Sequence, residues 1–415
     1  MFVRARPKID REKLHALIDT QSGSIPDELL TDRNKFFFNS GRSSLKWYLT
    51  YLKNKQNKSL VVGLQAFTCS VVTQAVLESG NKPYYFDVDK KYFTTLIGQI
   101  DFNKIDILIL SHLYGIPNPD YLLIKEKCKE LDIGIIDDLS QTLFSRIDHH
   151  CLEELSDCYF YSFGFDKPVS TMNGGMIFIR NDDLELQESY HSIKPESFNK
   201  EKSDLVRLLL YHEITSSMNY TQERRLNDRV DALIVYLARR KIIPMNAAMA
   251  LLKLAGTKPL LIFRKIFNSW VHRIFSIKIN VQRMGYLKRT YFQHVYPQFQ
   301  KDKKFYYEIK EKTVSFFKKM FKDIQIPDYV TGNIEPSWYL RFPVLAKDPK
   351  TVIELLSDNG IEAGPYNWDR LSFEGFRELQ HLNKDNYINS KQLTCEIINI
   401  PNWDDNIWKR LSNIN

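Results

Sequence analysis

Apolar and polar positions along the first 180 residues alternate between two rhythms. Residues 43–54 (SSLKWYLTYLKN) and 68–79 carry apolar side chains at helical spacing, and Gly80 supplies a stop after the second. Between and after them come short apolar runs: 59–64 (SLVVGL), 83–88 (PYYFDV) and 106–110 (DILIL). Each reads as a buried strand. Residues 119–131 are amphipathic at helical spacing, and 133–136 (IGII) is another strand. Two more strands, 157–162 (DCYFYS) and 175–180 (GMIFIR), flank a loop that ends in a glycine pair. Strands alternating with helices predict an α/β fold, with a mostly parallel sheet covered on both faces.

The rhythm then changes. Residues 185–330 are long-period, helical, and rich in Lys, Arg and aromatics. From 337 the pattern mixes again: SWYLRFPVLA (337–346) is a strand, 349–359 a helix closed by Gly360, 370–380 a helix, and CEIINIPNW (395–403) a strand running into a turn. The expected organisation is the N-terminal part of a large α/β domain over 1–184, a helical basic middle (an insertion or dimer region) over 185–330, and a small α+β domain over 331–415.

Composition narrows the function classes. The 415 residues are 43% hydrophobic and 26% charged, which excludes a disordered or fibrous chain. A net charge of +8 is compatible with an anionic small molecule, an acidic membrane surface or nucleic acid, and selects none of them. Cys69, Cys128, Cys151, Cys158 and Cys395 are odd in number and form no CxxC pair. No disulfide scaffold or metal site is expected, and a cytoplasmic location is the simplest reading. The first residues lack the apolar core of a signal peptide, and no stretch approaches about 18 uncharged apolar residues. Segment 239–285 contains LLIFRKIFNSWVHRIFSIKI, with aromatics between basic residues. It suits a helix lying on an anionic membrane surface. It suits equally a core or dimer helix with solvated basic ends, which is the expectation. No motif supports nucleic-acid binding.

Three segments fall where ligands of an open α/β sheet bind, beyond the carboxyl ends of the strands. Ser40-Gly41-Arg42-Ser43-Ser44 opens the first helix, where amides and hydroxyls suit a phosphate. An ordinary serine cap would leave the same trace. Asp137-Asp138-Leu139-Ser140-Gln141 follows the strand IGII, and alternation along a strand lets only one of the two aspartates face a cleft. Ser162-Phe163-Gly164-Phe165-Asp166-Lys167 leaves the strand DCYFY. A lysine desolvated there would become a nucleophile toward carbonyls, whereas a solvated loop lysine would not.

In this order the segments resemble the fold type I pyridoxal phosphate enzymes, and within them the DegT/DnrJ/EryC1/StrS sugar aminotransferases. SGRSSL (40–45), AFTCSVVTQAVLESGNKPYYFDVD (66–89), SHLYGIP (111–117), IIDDLSQT (135–142) and YSFGFDKPVSTMNGGMIFI (161–179) carry the likeness. YLRFPVLA (339–346), NGIEAGP (359–365) and NIPNW (399–403) continue it in the small domain. The resemblance implies pyridoxal 5'-phosphate as cofactor, held covalently by Lys167. Asp138 would pair with the pyridine nitrogen, and Gln141 would lie near the ring hydroxyl. Ser162, Gly41, Arg42 and Ser43 would bind phosphate, and Thr68 and Cys69 would face the ring. Many members carry an aromatic where Cys69 stands, a threonine at Arg42 and a glutamate at Asn173. The related sugar dehydratases replace the lysine by histidine. His112 lines the pocket or packs the core. Asn280-Val281-Gln282-Arg283-Met284 resembles the family's Asn-x-Arg-Met segment, which reaches into a partner's site. The implied activity is amino transfer to a nucleotide-linked keto sugar by a homodimer, with glutamate as donor. The alternatives are another enzyme of this fold using the same cofactor, or a degenerate binding protein on the same scaffold.

Overall fold

The computed structural model describes residues 9–20, 34–142, 144–165, 167, 169–181, 183–217, 237, 243, 247, 251, 278–301, 334–335, 341–359, 361, 363–364 and 370–401. Among them seven strands form one sheet. Its order is β1 (Lys35–Phe38), β9 (Gly175–Ile179), β8 (Cys158–Ser162), β5 (Gly134–Asp138), β4 (Ile107–Ser111), β2 (Val61–Gln65) and β3 (Lys82–Phe86). Only β9 runs against the rest. The expected mostly parallel α/β sheet is therefore present.

Alternation along the strands explains why both faces are covered. Leu108, Leu110, Tyr159 and Tyr161 point to one face, where they join α1 (Arg11–Asp19), α4 (Tyr121–Glu130), α7 (Phe198–Ser217) and α8 (Tyr286–Lys301). Ile107, Ile109, Ile136 and Phe160 point to the other, against α2 (Gly41–Gln56), α3 (Ser70–Glu78) and α6 (Leu184–His191). A three-stranded patch of β6 (Arg146–Ile147), β7 (His150–Cys151) and β10 (Ile334–Glu335) lies apart, with α5 (Leu152–Leu155) following β7.

The described parts of the middle region belong to this core. Leu205, Leu208 and Leu209 of α7 and Leu287 and Tyr291 of α8 are buried against the first sheet face. Arg283 makes an antiparallel bridge to Phe38 and so extends the edge beyond β1. Most of segment 239–285 lies outside the described residues. No described helix is long and apolar enough to cross a membrane.

The C-terminal part pairs β11 (Arg341–Leu345) with β12 (Ile397–Pro401), beside α9 (Pro349–Asp358) and α10 (Ile388–Glu396). Its Phe342, Val344, Ile398 and Ile400 share one apolar cluster with Phe67, Phe93 and Tyr114 of the N-terminal half. Asp87, just past β3, accepts the amides of Asn389 (3.0 Å) and Ser390 (2.8 Å) and so caps α10 across the chain. The helix expected over 370–380 is instead a run of turns with a single 3-10 turn, Arg377–Leu379. Gly375 adopts φ +94°, and the Glu374 side chain bonds the Leu371 amide, so the backbone cannot continue a helix.

Glu201 of α7 docks the start of α8. Its carboxylate accepts the Lys288 amide at 3.1 Å, one of the donors a helix N-terminus leaves unpaired. A Cβ on Gly285 would stand 2.2 Å from that carboxyl carbon, so only glycine admits the approach. Burial raises the Glu201 pKa from 4.5 to about 7. The folded chain thus keeps a proton that the unfolded chain releases near pH 4.5. The stability this group contributes is present below that pH and declines as pH rises toward 7, by about 1.4 kcal/mol per unit. Glu201→Gln is expected to flatten that slope in urea unfolding measured from pH 4.5 to 8; an unchanged slope would assign it elsewhere.

Candidate active site

The carboxyl ends of β1, β2, β4, β5 and β8 share one edge of the sheet, and the sequence-derived candidates line it. Ser40 is extended and caps α2, its hydroxyl accepting the Ser43 amide at 3.2 Å. The Ser44 amide also returns to Ser40. Among the described residues the amides of Gly41 and Arg42 have no partner, which leaves the positive end of α2 available to an anion. Gly41 lies directly against β8: a Cβ there would meet the Tyr161 carbonyl at 2.9 Å and Ser162 Cβ at 3.2 Å. Gly175, paired with Ser162, abuts Gly41 from the other side. Arg42 is exposed. Ser43 is buried, and its hydroxyl bonds Ser40 (2.7 Å) and the Asn280 carbonyl (3.3 Å).

Strand parity separates the two aspartates. Asp137 pairs in register with Leu110 and turns under α4. Its carboxylate accepts Tyr121 Oη at 2.8 Å and the Ser156 hydroxyl, and meets His112 Nε2 at 3.2 Å. The Asn118 amide donates to His112 Nδ1 (3.1 Å), so Nε2 carries the proton toward Asp137. His112 is fully buried in this network and is a packing residue.

Asp138 pairs with Ser111 and Phe160 and lies on the α2–α3 side. Its Oδ1 accepts the Ser140 amide at 3.0 Å. Burial pushes its carboxyl pKa up, against the pull of hydrogen bonds from the Ser140 hydroxyl and amide and of the Lys167 charge. Lys167 is therefore within electrostatic reach of Asp138. It is half-buried in the loop between β8 and β9, and its amide bonds the Gly164 carbonyl.

The remaining candidates follow β2 and β5. Thr68 is buried and shares a 3.0 Å hydroxyl contact with Ser111. Cys69 is exposed at the start of α3. Gln141 Oε1 accepts the Tyr114 amide at 3.0 Å. Sequence reading gave no sign of this last contact, nor of the Asn280 carbonyl behind Ser43, because both join segments far apart in the chain.

The sequence profile of the DegT/DnrJ/EryC1/StrS aminotransferase family matches residues 28–233. Solved structures carry the same fold along nearly the whole chain. A DegT DnrJ EryC1 StrS aminotransferase from Brucella abortus aligns at TM-score 0.63 and 14% identity, covering 97% of this chain and 94% of that one. Helicobacter pylori PseC, an aminotransferase involved in the biosynthesis of pseudoaminic acid, gives 0.62 and 14%, covering 100% and 96%. The E. coli GDP-4-keto-6-deoxy-D-mannose-3-dehydratase with bound hydrated PLP gives 0.63 and 14%, covering both chains fully (100% each). Sheet order and profile together define a pyridoxal-phosphate-dependent aminotransferase of fold type I. The chain belongs to the DegT/DnrJ/EryC1/StrS aminotransferase family.

The two aspartates should respond differently to neutralisation. Asp137→Asn removes a charged acceptor from a buried network and is expected to cost about 1–3 kcal/mol of stability. Asp138→Asn keeps the strand and loses less, so its urea midpoint should stay near that of the parent. Equal midpoints for the two variants would contradict this division.

Proposed function

We propose that this enzyme transfers an amino group from an amino acid, glutamate, to a nucleotide-linked keto sugar. It would work as a cytoplasmic homodimer and supply surface polysaccharide or glycosylated-metabolite synthesis. Family membership supports the sugar substrate, as do the pseudoaminic acid and GDP-sugar roles named for two structural neighbours. One observation carries the chemistry: Asp138 ends β5, Lys167 lies in the loop that leaves the neighbouring strand β8, and both stand at the edge where α2 presents two unpaired amides.

These residues fit pyridoxal phosphate. The Gly41 and Arg42 amides, the Arg42 guanidinium and the Ser162 hydroxyl would hold its phosphate. When bound, the cofactor supplies an electron sink that lets an amino group leave one carbon and join another. Asp138 would keep a proton on the ring nitrogen; its carboxyl, raised by burial, gains from a cation placed against it. Lys167 would hold the cofactor covalently and, when released, carry a proton between carbon atoms. Gln141, fixed by the Tyr114 amide, would orient toward the ring hydroxyl. Thr68 and Cys69 at the start of α3 would close the remaining side. Lysine at 167, where related dehydratases have histidine, favours amino transfer over dehydration.

Purified enzyme is expected to be yellow and to bleach with borohydride. Lys167→Ala should fold normally and lose the bleachable colour, while Asp138→Asn should keep colour and lose turnover by several orders of magnitude. A panel of nucleotide-linked keto sugars with glutamate, read by product mass, tests the substrate class. Absence of amino sugar across the panel, or a colour retained by Lys167→Ala, would overturn the assignment. Sedimentation should give twice the 49.0 kDa chain mass.

A further inference from the structure

Behind the Lys167 loop lies a buried ion cluster that the reaction chemistry leaves unexplained. Lys288, the third residue of α8, is fully buried. Its ammonium contacts Glu196 at 2.6 Å, Asp204 at 3.0 Å and the Asn173 carbonyl at 2.8 Å. Asp204 also meets Lys200 and Arg207, and the Asn173 side-chain amide reaches Asp204 at 3.4 Å. Glu201 holds the Lys288 amide from below.

This is an expensive place for a cation. Burial penalises its charge, and the first turn of a helix presents a positive dipole that repels it. A buried pair of this sort is weak evidence of stability in itself. What distinguishes Lys288 is its third contact. Asn173 closes the loop between β8 and β9. The loop's ends are already tied, Phe163 to Gly174 and Thr171 to Phe163. Thr171 also donates its hydroxyl to the same Asn173 carbonyl at 3.0 Å. Lys288 adds a charge-assisted bond from a different layer of the fold, anchoring the closed loop to α7 and α8.

We propose that Lys288 is a positioning residue for the reaction: its ammonium, aimed by Glu196 and Asp204, fixes the loop that presents Lys167. The proposal rests on Lys167 being the cofactor-bearing residue. A side chain that merely joined α7 to α8 would affect global stability and leave the loop alone. One that positions the loop sets local opening of residues 163–174, and with it the retention of cofactor.

Hydrogen exchange of the cofactor-loaded protein separates these roles. Lys288→Met takes the cation from buried Glu196 and leaves Asp204 with Lys200 and Arg207 alone, so it is paired with a neutral cluster, Lys288→Met/Glu196→Gln/Asp204→Asn, in which neither carboxylate remains. In the neutral cluster, peptides spanning 163–174 should exchange about tenfold faster. Pyridoxal phosphate should dissociate faster by a similar factor, while peptides of β2 to β5 stay unchanged. Parental loop exchange and parental cofactor retention in that variant would overturn the proposal, even with a lowered melting temperature. The unmutated protein gives a second reading: amides of 171–174 and of 287–289 should open together. A loop that exchanges while the first turn of α8 stays protected would also overturn it. A bleachable colour surviving in Lys167→Ala would instead sink the assignment of Lys167, and would leave the exchange result intact.

Discussion

Asp137 and Asp138 leave the carboxyl end of β5 buried and facing opposite sides of the sheet. On one side, Asp137 gathers His112, Tyr121 and Ser156, which come from the turn after β4, from α4 and from the segment before β8. That network locks three crossovers to the strand. On the other side, Asp138 is met by the Ser140 amide and hydroxyl and by the field of a lysine. A slip of one residue in β5 would exchange the two faces. The buried anchor Asp137 and the candidate site residue Asp138 thus depend on the same strand register, and the candidate site inherits its stiffness from the opposite face.

The approach of α2 to the sheet is a second constraint. Gly41 and Gly175 let two backbones meet with no side chain between them. The start of α2 can therefore sit over the ends of β8 and β9, beside Ser162, with its amide dipoles directed along the same edge as Asp138. Charge of opposite sign is then gathered at one end of a largely apolar sheet, which is the arrangement a zwitterionic cofactor requires.

Much of this was legible in the sequence. The apolar runs ending at 64, 110, 136 and 162 became β2, β4, β5 and β8, because a strand buried on both faces leaves an unbroken hydrophobic stretch. The ends of the runs at 136 and 162 put Asp138, Gln141, Ser162 and Lys167 at one edge, while only the family resemblance singled these residues out. Less could be read where tertiary context decides. Lys35–Phe38 forms β1 only because it pairs with β9, about 140 residues later. Residues 370–380 have helical spacing but follow the docking of Ser372 onto the Ala66 carbonyl. His112 has the composition of a site residue, and its core role emerges only from its bonds to Asp137 and Asn118. The Lys288 cluster gave no local signal, since Lys288, its acids Glu196 and Asp204, and its carbonyl partner Asn173 come from three separate stretches.

The span of these contacts bears on how the chain reaches its fold. Asp87 caps a helix more than 300 residues further on, and Phe38 pairs with Arg283. Ordering such distant segments costs loop-closure entropy before any contact rewards it. During synthesis β2 to β5 can assemble as they emerge. The edge strand β1 must wait for β9, and the exposed end of β3 must wait for the C-terminal helix. Until those partners are made both sheet margins lack cover, and such margins are where a nascent chain is most exposed to wrong pairing.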